Sequence, residues 1–335
     1  MKIENLINDL VENKAFKLDD IKTFFGELCD GAPYPPEQLA ALLVLLRQKG
    51  ETAELLAAIA ETLLERAVIV DMPEASVCLC GTGGDNSGTF NISTTASLLV
   101  AACGVPVAKH GSRSVTSKSG SADVLEELGI ATDLNSEQAT FSLNNYGFTF
   151  LFAQVYHPAF RYISPVRKAL KVRTLFNIIG PLIHPGNVKR QVIGVFDPKL
   201  VPLMAGALSV LGHEKTLVVC SDDGLDEISL TGLTHAKLVE GDSITDLTIN
   251  PEDYGFTLCK MEDLKGGDAK DNAQITRDIF SGKQGPKSDC VVLNSGVALF
   301  LSDKANSIEE GVAMARTVQK SGKALELIER LKEVK

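Results

Sequence analysis

Apolar residues recur at helical spacing through the first 66 residues of the chain. One helix is predicted between Pro35-Pro36-Glu37 and Lys49-Gly50, and its apolar face is formed by Leu39, Leu42, Leu43 and Leu46. A second helix is predicted after the N-cap Thr52, with an apolar face of Leu55, Ile59 and Leu63. The pattern predicts a small helical bundle whose surplus apolar surface packs on a second copy of the chain or on the rest of this one.

From Val68 onward, short apolar runs alternate with helical segments. Strands are predicted at Val77–Cys80, Val105–Ala108, Phe148–Phe152, Val192–Phe196 and Leu217–Cys220. Helices are predicted at Thr94–Cys103, Ser121–Leu128 and Leu200–Leu211. This alternation predicts an α/β fold with a mainly parallel central sheet flanked by helices, which binds ligands at the carboxyl ends of its strands. The stretch Ile163–Pro185 interrupts the alternation, either as a hinge or as a return of the chain to the helical bundle.

Composition and charge narrow the class of protein. The net charge of −10 argues against a nucleic-acid-binding surface, because phosphate backbones need cationic stripes. No apolar run approaches the roughly 20 residues that span a bilayer, and the N-terminus lacks the layout of a signal peptide. Seven scattered cysteines show no metal-like pairing and are interpreted as small buried apolar residues. We therefore expect a cytoplasmic protein with no membrane or nucleic-acid partner.

A glycine-dense turn, Gly81-Thr82-Gly83-Gly84-Asp85, directly follows the first predicted strand. Its glycines allow positive φ and a close approach of the backbone to a ligand, and Asp85 can accept hydrogen bonds from ribose hydroxyls. The next helix begins at Asn91-Ile92-Ser93-Thr94-Thr95, where the helix dipole favours anions. Tight packing and plain N-capping are the alternatives, but the closeness of the two segments favours a phosphate site. The turn is neither the G-x-G-x-x-G nor the P-loop pattern, which disfavours nicotinamide cofactors and nucleoside triphosphates.

The segment Lys109–Ser121 follows the second predicted strand and combines cations with glycines and hydroxyls. Lys109 offers a point charge to a phosphate, and Arg113 offers a planar fork for bidentate contact. We interpret the segment as a polar loop that closes over a substrate, with a merely solvated loop as the alternative.

Carboxylates follow the last predicted strand, at Asp222, Asp223, Asp226 and Glu227. They suit Mg²⁺, which takes one or two carboxylates together with waters and substrate phosphates, although an acidic surface turn has the same composition. A basic segment is either an exposed helix face or a site for an acidic substrate, and it contains Arg167, Lys168, Lys171 and Arg173. His157 is likewise either a surface residue or part of a substrate site. Together these parts describe a site for a polyanionic ribose phosphate with Mg²⁺, beside an arginine for a second, acidic substrate.

Seven segments, in this order, form a specific pattern: Gly81–Asp85, Thr89–Thr94, Lys109–Gly129, Arg173–Asn177 with Gly180-Pro181-Leu182, Asp226-Glu227, Gly266-Gly267-Asp268-Ala269 and Ser321-Gly322-Lys323-Ala324. Through them, and over essentially its whole length, the chain resembles the anthranilate phosphoribosyltransferases of tryptophan biosynthesis. The resemblance implies a helical domain of residues 1–72, joined by an insert at about 163–187, and an α/β domain of residues 73–162 and 188–335. It also implies a homodimer through the N-terminal helices.

The reaction implied by the resemblance joins anthranilate to phosphoribosyl pyrophosphate and gives N-(5′-phosphoribosyl)anthranilate and pyrophosphate. Loss of pyrophosphate builds positive charge on the ribose, in an oxocarbenium-like transition state, while Mg²⁺, expected at two sites, neutralises the diphosphate. The neutral arylamine can attack without prior deprotonation, so no residue is assigned as a general base. His110 and His157 are the candidates to take the late proton.

Site residues are carried over from the family onto matching positions. The phosphoribosyl pyrophosphate site would comprise Gly81, Gly84, Asp85, Thr89, Asn91, Ile92, Ser93, Thr94, Lys109, His110, Gly111, Ser112, Arg113, Ser114, Val115, Thr116, Ser117 and Ser121. The anthranilate site would comprise Gly81, His110, Ser112, His157, Arg167 and Gly180. Mg²⁺ would be held by Ser93, Asp226 and Glu227.

One position departs from the family pattern. Ser112 stands where the family usually has Asn, a side chain that helps to hold anthranilate. A hydroxyl cannot reproduce the acceptor and the two donors of an amide, so the departure bears on the affinity for the acceptor and on its identity.

Two other functions fit parts of the sequence. Pyrimidine nucleoside phosphorylases share the architecture, but their Lys-x-Ser-Gly-Arg and His-Thr-Gly-Gly-Thr patterns are replaced here by Lys109-His110-Gly111-Ser112-Arg113 and Ser119-Gly120-Ser121-Ala122-Asp123. A non-catalytic paralogue of the same fold that binds nucleic acid is disfavoured by Arg167, by the intact Asp226-Glu227 pair and by the net charge.

Overall fold

The computed structural model describes residues 2–113 and 118–334. The chain begins with a bundle of four helices, α1 (Ile3–Val11), α2 (Leu18–Cys29), α3 (Pro36–Lys49) and α4 (Ala53–Leu64). Helix α3 starts at consecutive prolines and ends at Gly50, which has φ +95°. Helix α4 is capped by Thr52, whose hydroxyl accepts a hydrogen bond from the Leu55 N–H at 3.2 Å. The sequence-based prediction of both helices is confirmed.

A sheet forms the centre of the rest of the chain. Within the described residues its strands are β1 (Val77–Gly81), β2 (Val107–Gly111), β3 (Phe148–Phe152), β4 (Arg190–Gly194), β5 (Thr216–Ser221), β6 (Thr234–Glu240) and β7 (Ser243–Ile249). The order is β3-β2-β1-β4-β5-β6-β7, in which β1 to β5 run parallel and β6 and β7 are antiparallel. The mainly parallel sheet is as predicted, whereas the β6–β7 hairpin is not.

Helices flank the sheet on both faces. They are α5 (Ile92–Ala102), α6 (Ser121–Glu127), α7 (Ser136–Tyr146), α8 (Ala153–Tyr156), α9 (Phe160–Leu170), α10 (Leu200–Val210), α11 (Ala269–Phe280), α12 (Pro286–Leu301), α13 (Ile308–Gln319) and α14 (Lys323–Leu331). Short 3₁₀ turns lie at Leu175–Asn177, Gly180–Leu182, Pro251–Tyr254 and Met261–Leu264. The fold is therefore α/β, with a small helical domain beside a larger one built on the sheet. Over the described residues, none of these helices has the length and apolarity needed to traverse a bilayer.

Successive residues of the strands contribute to two large apolar cores, because their side chains point to opposite faces of the sheet. Leu79, Val192 and Val219 pack in the first core, with residues of α5 and of α11 to α14. Ile193 and Val218 pack in the second core, with residues of the N-terminal bundle and of α10. The apolar residues of the insert, among them Ile163, Val166, Leu175, Phe176 and Ile179, belong to this second core.

Strand β2 continues past its predicted end at Ala108 as far as Gly111. Its pairing with β3 includes Lys109 with Phe150, His110 with Leu151 and Gly111 with Phe152. The polar character of Lys109 and His110 hid the strand, because both are buried where a strand residue is usually apolar. The predicted loop therefore starts at Ser112, and Lys109 lies on a rigid element.

The cysteines match their prediction only in part. Cys78, Cys220 and Cys290 are buried, whereas Cys29, Cys80, Cys103 and Cys259 are half-buried. All seven are free thiols.

Candidate active site

The glycine turn lies at the carboxyl end of β1, where that strand pairs with β4. Gly81 faces Gly194 across the two strands, and the Thr82 N–H donates to the Gly194 carbonyl at 2.9 Å. Gly83 and Gly84 have φ +70° and +88°, as the glycine pattern predicts. A Cβ at Gly81 would overlap the Asp226 side chain, and a Cβ at Gly194 would overlap the Asp226 backbone. Two glycines therefore allow the acidic segment to pack directly on the strand ends.

The two carboxylates of that segment bind separate parts of the predicted donor site. The Gly83 N–H donates to Asp226 Oδ2 at 2.6 Å. The Ser93 N–H, in the first turn of α5, donates to Glu227 Oε1 at 3.0 Å. The pair thus connects the glycine turn to the N-terminus of α5.

The surroundings of these two carboxylates disfavour their ionised forms. Burial raises the pKa of Asp226 well above its ordinary value, with further increases from the neighbouring charges of Asp85 and Glu227. Burial raises the pKa of Glu227 to about 7, against the opposing effect of the Lys109 charge. A cation placed between them would favour the ionised form of both.

Lys109 is 1% exposed and points into the same space. Its Nζ donates to the Leu79 carbonyl at 2.6 Å and to the Ser93 hydroxyl at 3.3 Å. The ammonium group therefore lies beside the predicted metal-binding residues, within a strand, instead of in a mobile loop. Such a fixed cation can neutralise an anion without the entropic cost of ordering a loop.

The arrangement fits Mg²⁺ better than it fits a metal held by protein ligands alone. Across residues 2–113 and 118–334, no group of three His, Cys, Asp or Glu side chains is arranged as a metal site. Asp226, Glu227 and the Ser93 hydroxyl supply oxygens only, which is the chemistry that Mg²⁺ prefers. The remaining ligands of an ion held here would be waters and substrate phosphate.

Arg113 is bound by helix α6. Its guanidinium forms a bidentate pair with Glu126 at 2.9 and 2.5 Å and a second pair with Asp123 at 2.8 Å. The Ser112 hydroxyl donates to the Arg113 carbonyl at 3.0 Å, and both residues are exposed. The predicted donor ligands Ser114, Val115, Thr116 and Ser117 lie outside the described residues. Ser121, also a predicted donor ligand, is the first residue of α6.

The other predicted donor residues lie around the start of α5. Thr89 forms an isolated β-bridge with Lys265, and its hydroxyl lies 3.2 Å from that of Ser87. Ile92 is part of the first apolar core, so only its backbone can reach a ligand. Thr94 is buried, and its Oγ1 has no hydrogen-bond partner among the described residues. An unpaired buried hydroxyl at a helix N-terminus is suited to a ligand.

Two predicted acceptor residues, His110 and His157, form a buried pair with ring centroids 5.4 Å apart. Burial lowers the pKa of His157 to about 4, and burial together with the nearby His157 and His184 lowers the pKa of His110 well below its ordinary value. Both rings are therefore neutral at pH 7. Gly180 has no atom of the described residues within 4 Å of the position of a Cβ, so it borders open space. Arg167 is half-buried in the last turn of α9.

His184 and Asn272 have no role in the sequence-based prediction, and Arg173 appears there only as part of the basic segment and of the Arg173–Asn177 motif. The His184 ring lies 5.6 Å from that of His110 and is fixed by the Ala108 carbonyl and the Gly186 N–H, at 2.7 and 3.1 Å. The Arg173 guanidinium donates to the Gly84 carbonyl and lies 3.7 Å from the centroid of the Phe196 ring. Asn272 binds the side chain of Asn91 at 2.8 Å. The Gly180-Pro181 and Gly266–Ala269 motifs beside them were the available signals.

The fold and the site define a class. Residues 4–67 match the helical bundle domain and residues 74–325 the a/b domain of the glycosyl transferase family. Within that class the chain belongs to the anthranilate phosphoribosyltransferase family. It is 48% identical over 297 residues to the anthranilate phosphoribosyltransferase of Desulfitobacterium hafniense, a match that covers 89% of this chain and 88% of that protein. It is 43% identical over 332 residues to that of Acetivibrio thermocellus, with 99% and 96% covered.

Solved structures agree with this assignment. The crystal structure of anthranilate phosphoribosyltransferase from Thermus thermophilus has a TM-score of 0.90 to this chain at 38% identity, covering 97% of this chain and 98% of that one. The Saccharomyces cerevisiae enzyme in complex with PRPP and Mg has a TM-score of 0.90 at 26% identity, with 99% and 97% covered. The chain is accordingly a phosphoribosyltransferase.

Proposed function

We propose that this protein transfers the phosphoribosyl group of phosphoribosyl pyrophosphate to the amine of anthranilate, as the step of tryptophan biosynthesis that releases pyrophosphate. The observation that carries the proposal is the packing of Asp226 on Gly81 and Gly194, which places Glu227 beside the first turn of α5. This packing brings the buried Asp226 carboxylate, the half-buried Glu227 carboxylate, the glycine turn and the first turn of α5 to one point. Such a point suits a sugar diphosphate bound with a cation.

The donor half of the site is formed by the glycine turn, the start of α5 and the end of β2. We propose as its residues Gly81, Gly84, Asp85, Thr89, Asn91 to Thr94, Lys109 to Ser117 and Ser121, of which Ser114 to Ser117 lie outside the described residues. Ser93, Asp226 and Glu227 would hold Mg²⁺, which supplies positive charge to the diphosphate when bound. Lys109 adds a fixed cation beside them. This assignment leaves Arg113 to exchange Glu126 for a phosphate.

The acceptor half is formed by Gly81, His110, Ser112, His157, Arg167 and Gly180. Arg167 would bind the anthranilate carboxylate, since a guanidinium fork matches that group. Neutral, buried His110 and His157 give this half an apolar surface for an aromatic ring. The open space beside Gly180 leaves room for the ring.

Bond cleavage in this site depends on charge and position. The ribose becomes cationic as pyrophosphate leaves, and the site's fixed cations favour the departing anion. The amine of anthranilate is neutral at pH 7, so it attacks without a general base. His110 and His157 are the candidates to take the proton that the new bond releases, since burial keeps both rings unprotonated at pH 7, although the same burial weakens them as bases.

We also propose the protein's assembly and location. Val11 on α1 and Val44 on α3 are exposed, which supports a homodimer through the N-terminal helices. Residues 1–72 with the insert at 163–187 would form the helical domain, and residues 73–162 and 188–335 the α/β domain. The seven free cysteines suit the reducing cytoplasm, where we place the enzyme.

Incubation of the protein with phosphoribosyl pyrophosphate, Mg²⁺ and anthranilate is expected to extinguish the fluorescence of anthranilate and to release pyrophosphate. Omission of Mg²⁺ is the control for the cation. Turnover of a different aminobenzoate without any loss of anthranilate would disprove the acceptor and leave the donor site intact. Failure to release pyrophosphate with any aromatic amine would disprove the transferase function itself.

Ser112→Asn is expected to lower the KM for anthranilate about threefold to tenfold, because the amide regains the acceptor and donors that a hydroxyl lacks. The KM for phosphoribosyl pyrophosphate should stay within about twofold of its original value. Steady-state kinetics with each substrate varied in turn measures both. An unchanged or higher KM for anthranilate contradicts the role given to this position.

A further inference from the structure

The motif Gly266-Gly267-Asp268-Ala269 packs along the back of the donor segment. The Gly266 N–H donates to the Gly88 carbonyl at 3.0 Å, and the Phe90 N–H donates to the Leu264 carbonyl at 3.1 Å. A Cβ at Gly266 would overlap the Phe90 backbone and the Asn272 side chain, so the two segments lie in close contact. The proposed function does not use this motif, although it precedes a polar side chain that points at the donor site.

That side chain belongs to Asn272, in the first turns of α11, and is only 3% exposed. Asn272 Oδ1 accepts a hydrogen bond from the Gly267 N–H at 2.9 Å. Its Nδ2 therefore faces Asn91 and donates to Asn91 Oδ1 at 2.8 Å. With that oxygen occupied, Asn91 Nδ2 donates to the Ser119 carbonyl at 3.3 Å.

The direction of this chain of hydrogen bonds is fixed at both ends. A backbone N–H can only donate and a backbone carbonyl can only accept, so neither amide can rotate by half a turn without losing a bond at each side. Asn272 thereby fixes the orientation of Asn91, and Asn91 fixes the position of Ser119. Ser119 follows Lys118 and precedes the start of α6.

The same chain of bonds changes the start of α5. Asn91 is its N-cap residue, and Asn is among the side chains that most often cap a helix. Within the part of the chain that the structure describes, its side chain makes no capping bond. The Ser93 N–H is instead taken by Glu227. Asn272 holds the Asn91 amide away from the helix, so Asn91 does not cap α5 and its N-terminus is left to Glu227 and to the proposed donor.

We propose that Asn272 is a positioning residue for the phosphoribosyl donor. It acts through Asn91, whose amide it orients toward the Ser119 carbonyl and away from the N-terminus of α5. This inference rests on the proposed function, because it assumes that the donor binds between these two elements.

The test measures binding of phosphoribosyl pyrophosphate with Mg²⁺ by calorimetry, together with steady-state kinetics. Asn272→Ala should weaken donor binding and raise its KM about tenfold, while kcat changes less than about twofold. Asn91→Ala should have at least the same effect. The double variant should equal Asn91→Ala alone, because Asn272 acts only through Asn91.

Asp268→Ala is the matched control. It removes the N-cap of α11, whose Oδ1 accepts from the Asp271 N–H at 3.0 Å, and so destabilises the same helix without touching Asn91. The KM for the donor should not change. A rise in this control as large as that in Asn272→Ala, or additive effects of the two asparagine variants, would show a merely structural role and overturn the proposal.

A second variant covers the case in which Asn272→Ala does not fold. Asn272→Asp keeps the acceptor for Gly267 but replaces the donor to Asn91 with a charged acceptor, so a rise in the KM for the phosphoribosyl donor at least as large is expected. Wild-type affinity for the donor in that variant overturns the proposal. The calorimetric measurement needs no acceptor. If the wild-type protein binds phosphoribosyl pyrophosphate but does not consume anthranilate, the proposed acceptor is contradicted. The test of Asn272 remains valid in that case.

Discussion

Replacement of Glu227 by Gln is expected to lower kcat/KM on the order of 100-fold, the cost of removing one preorganised charge from such a site. Glutamine keeps the shape and can still accept the hydrogen bond from the Ser93 N–H, so the change isolates the negative charge. Without this charge, an Mg²⁺ ion bound beside Lys109 and the diphosphate would have one carboxylate ligand fewer. The activity should therefore require higher Mg²⁺, which a titration of the rate with MgCl₂ measures.

Asp222→Asn is the matched control for this charge. Asp222 belongs to the same acidic segment, but its side chain is about half exposed and pairs with His235 at 2.8 Å. Exposed pairs of this kind contribute little. We expect unchanged kinetics and an unchanged Mg²⁺ requirement. Equal losses in both variants would mean that the segment acts through general electrostatics and not through a defined ion site.

Gly194→Ala is expected to destabilise the protein by about 3 kcal/mol or more, the range of a severe overpacking change. A methyl group there overlaps the Asp226 backbone, which cannot yield as the end of a flexible side chain can. The acidic segment must then move away from the strand ends and carry both carboxylates with it. Chemical denaturation should show the loss of stability, and any folded fraction should bind Mg²⁺ and the donor poorly.

Gly232→Ala controls for the loss of a glycine as such. Its Cβ would meet only the Asp222 side chain at ordinary contact distances, from 3.8 Å, and its φ lies outside the left-handed region. We expect a stability within about 0.5 kcal/mol of the original. A Gly194→Ala protein as stable as this control would refute the view that the close approach at Gly194 sets the position of Asp226.

The sequence contained enough to predict the helical caps, the parallel strands and the residue types of the site. The start of α3 at Pro36 and the turn at Gly83 and Gly84 follow from local conformational preferences. The end of β2 cannot be predicted from local preferences, because Lys109 and His110 are polar residues in a buried strand. Only tertiary pairing with β3 shows that they belong to it.

The unpredicted features depend on contacts between distant segments. Strand β7 is largely exposed, so the β6–β7 hairpin lacks the apolar alternation that marks a strand. The bond from Asn272 to Asn91 spans 181 residues, and His184 reaches the carbonyl of Ala108 over 76 residues. No local pattern encodes such pairs. The link between Gly83 and Asp226 is of the same kind, and it decides where both predicted motifs meet.

The second apolar core has a consequence for how the chain is made. Helices α2 to α4 lie at its N-terminal end, but the residues that cover them include the insert, Ile193 in β4, Val218 in β5 and the inner face of α10. A growing chain therefore holds an unfinished bundle until about 220 residues have left the ribosome. During that interval the bundle's apolar face is open to chaperones and to other chains. The helices that are synthesised first thus acquire their native packing late, when strands β4 and β5 arrive.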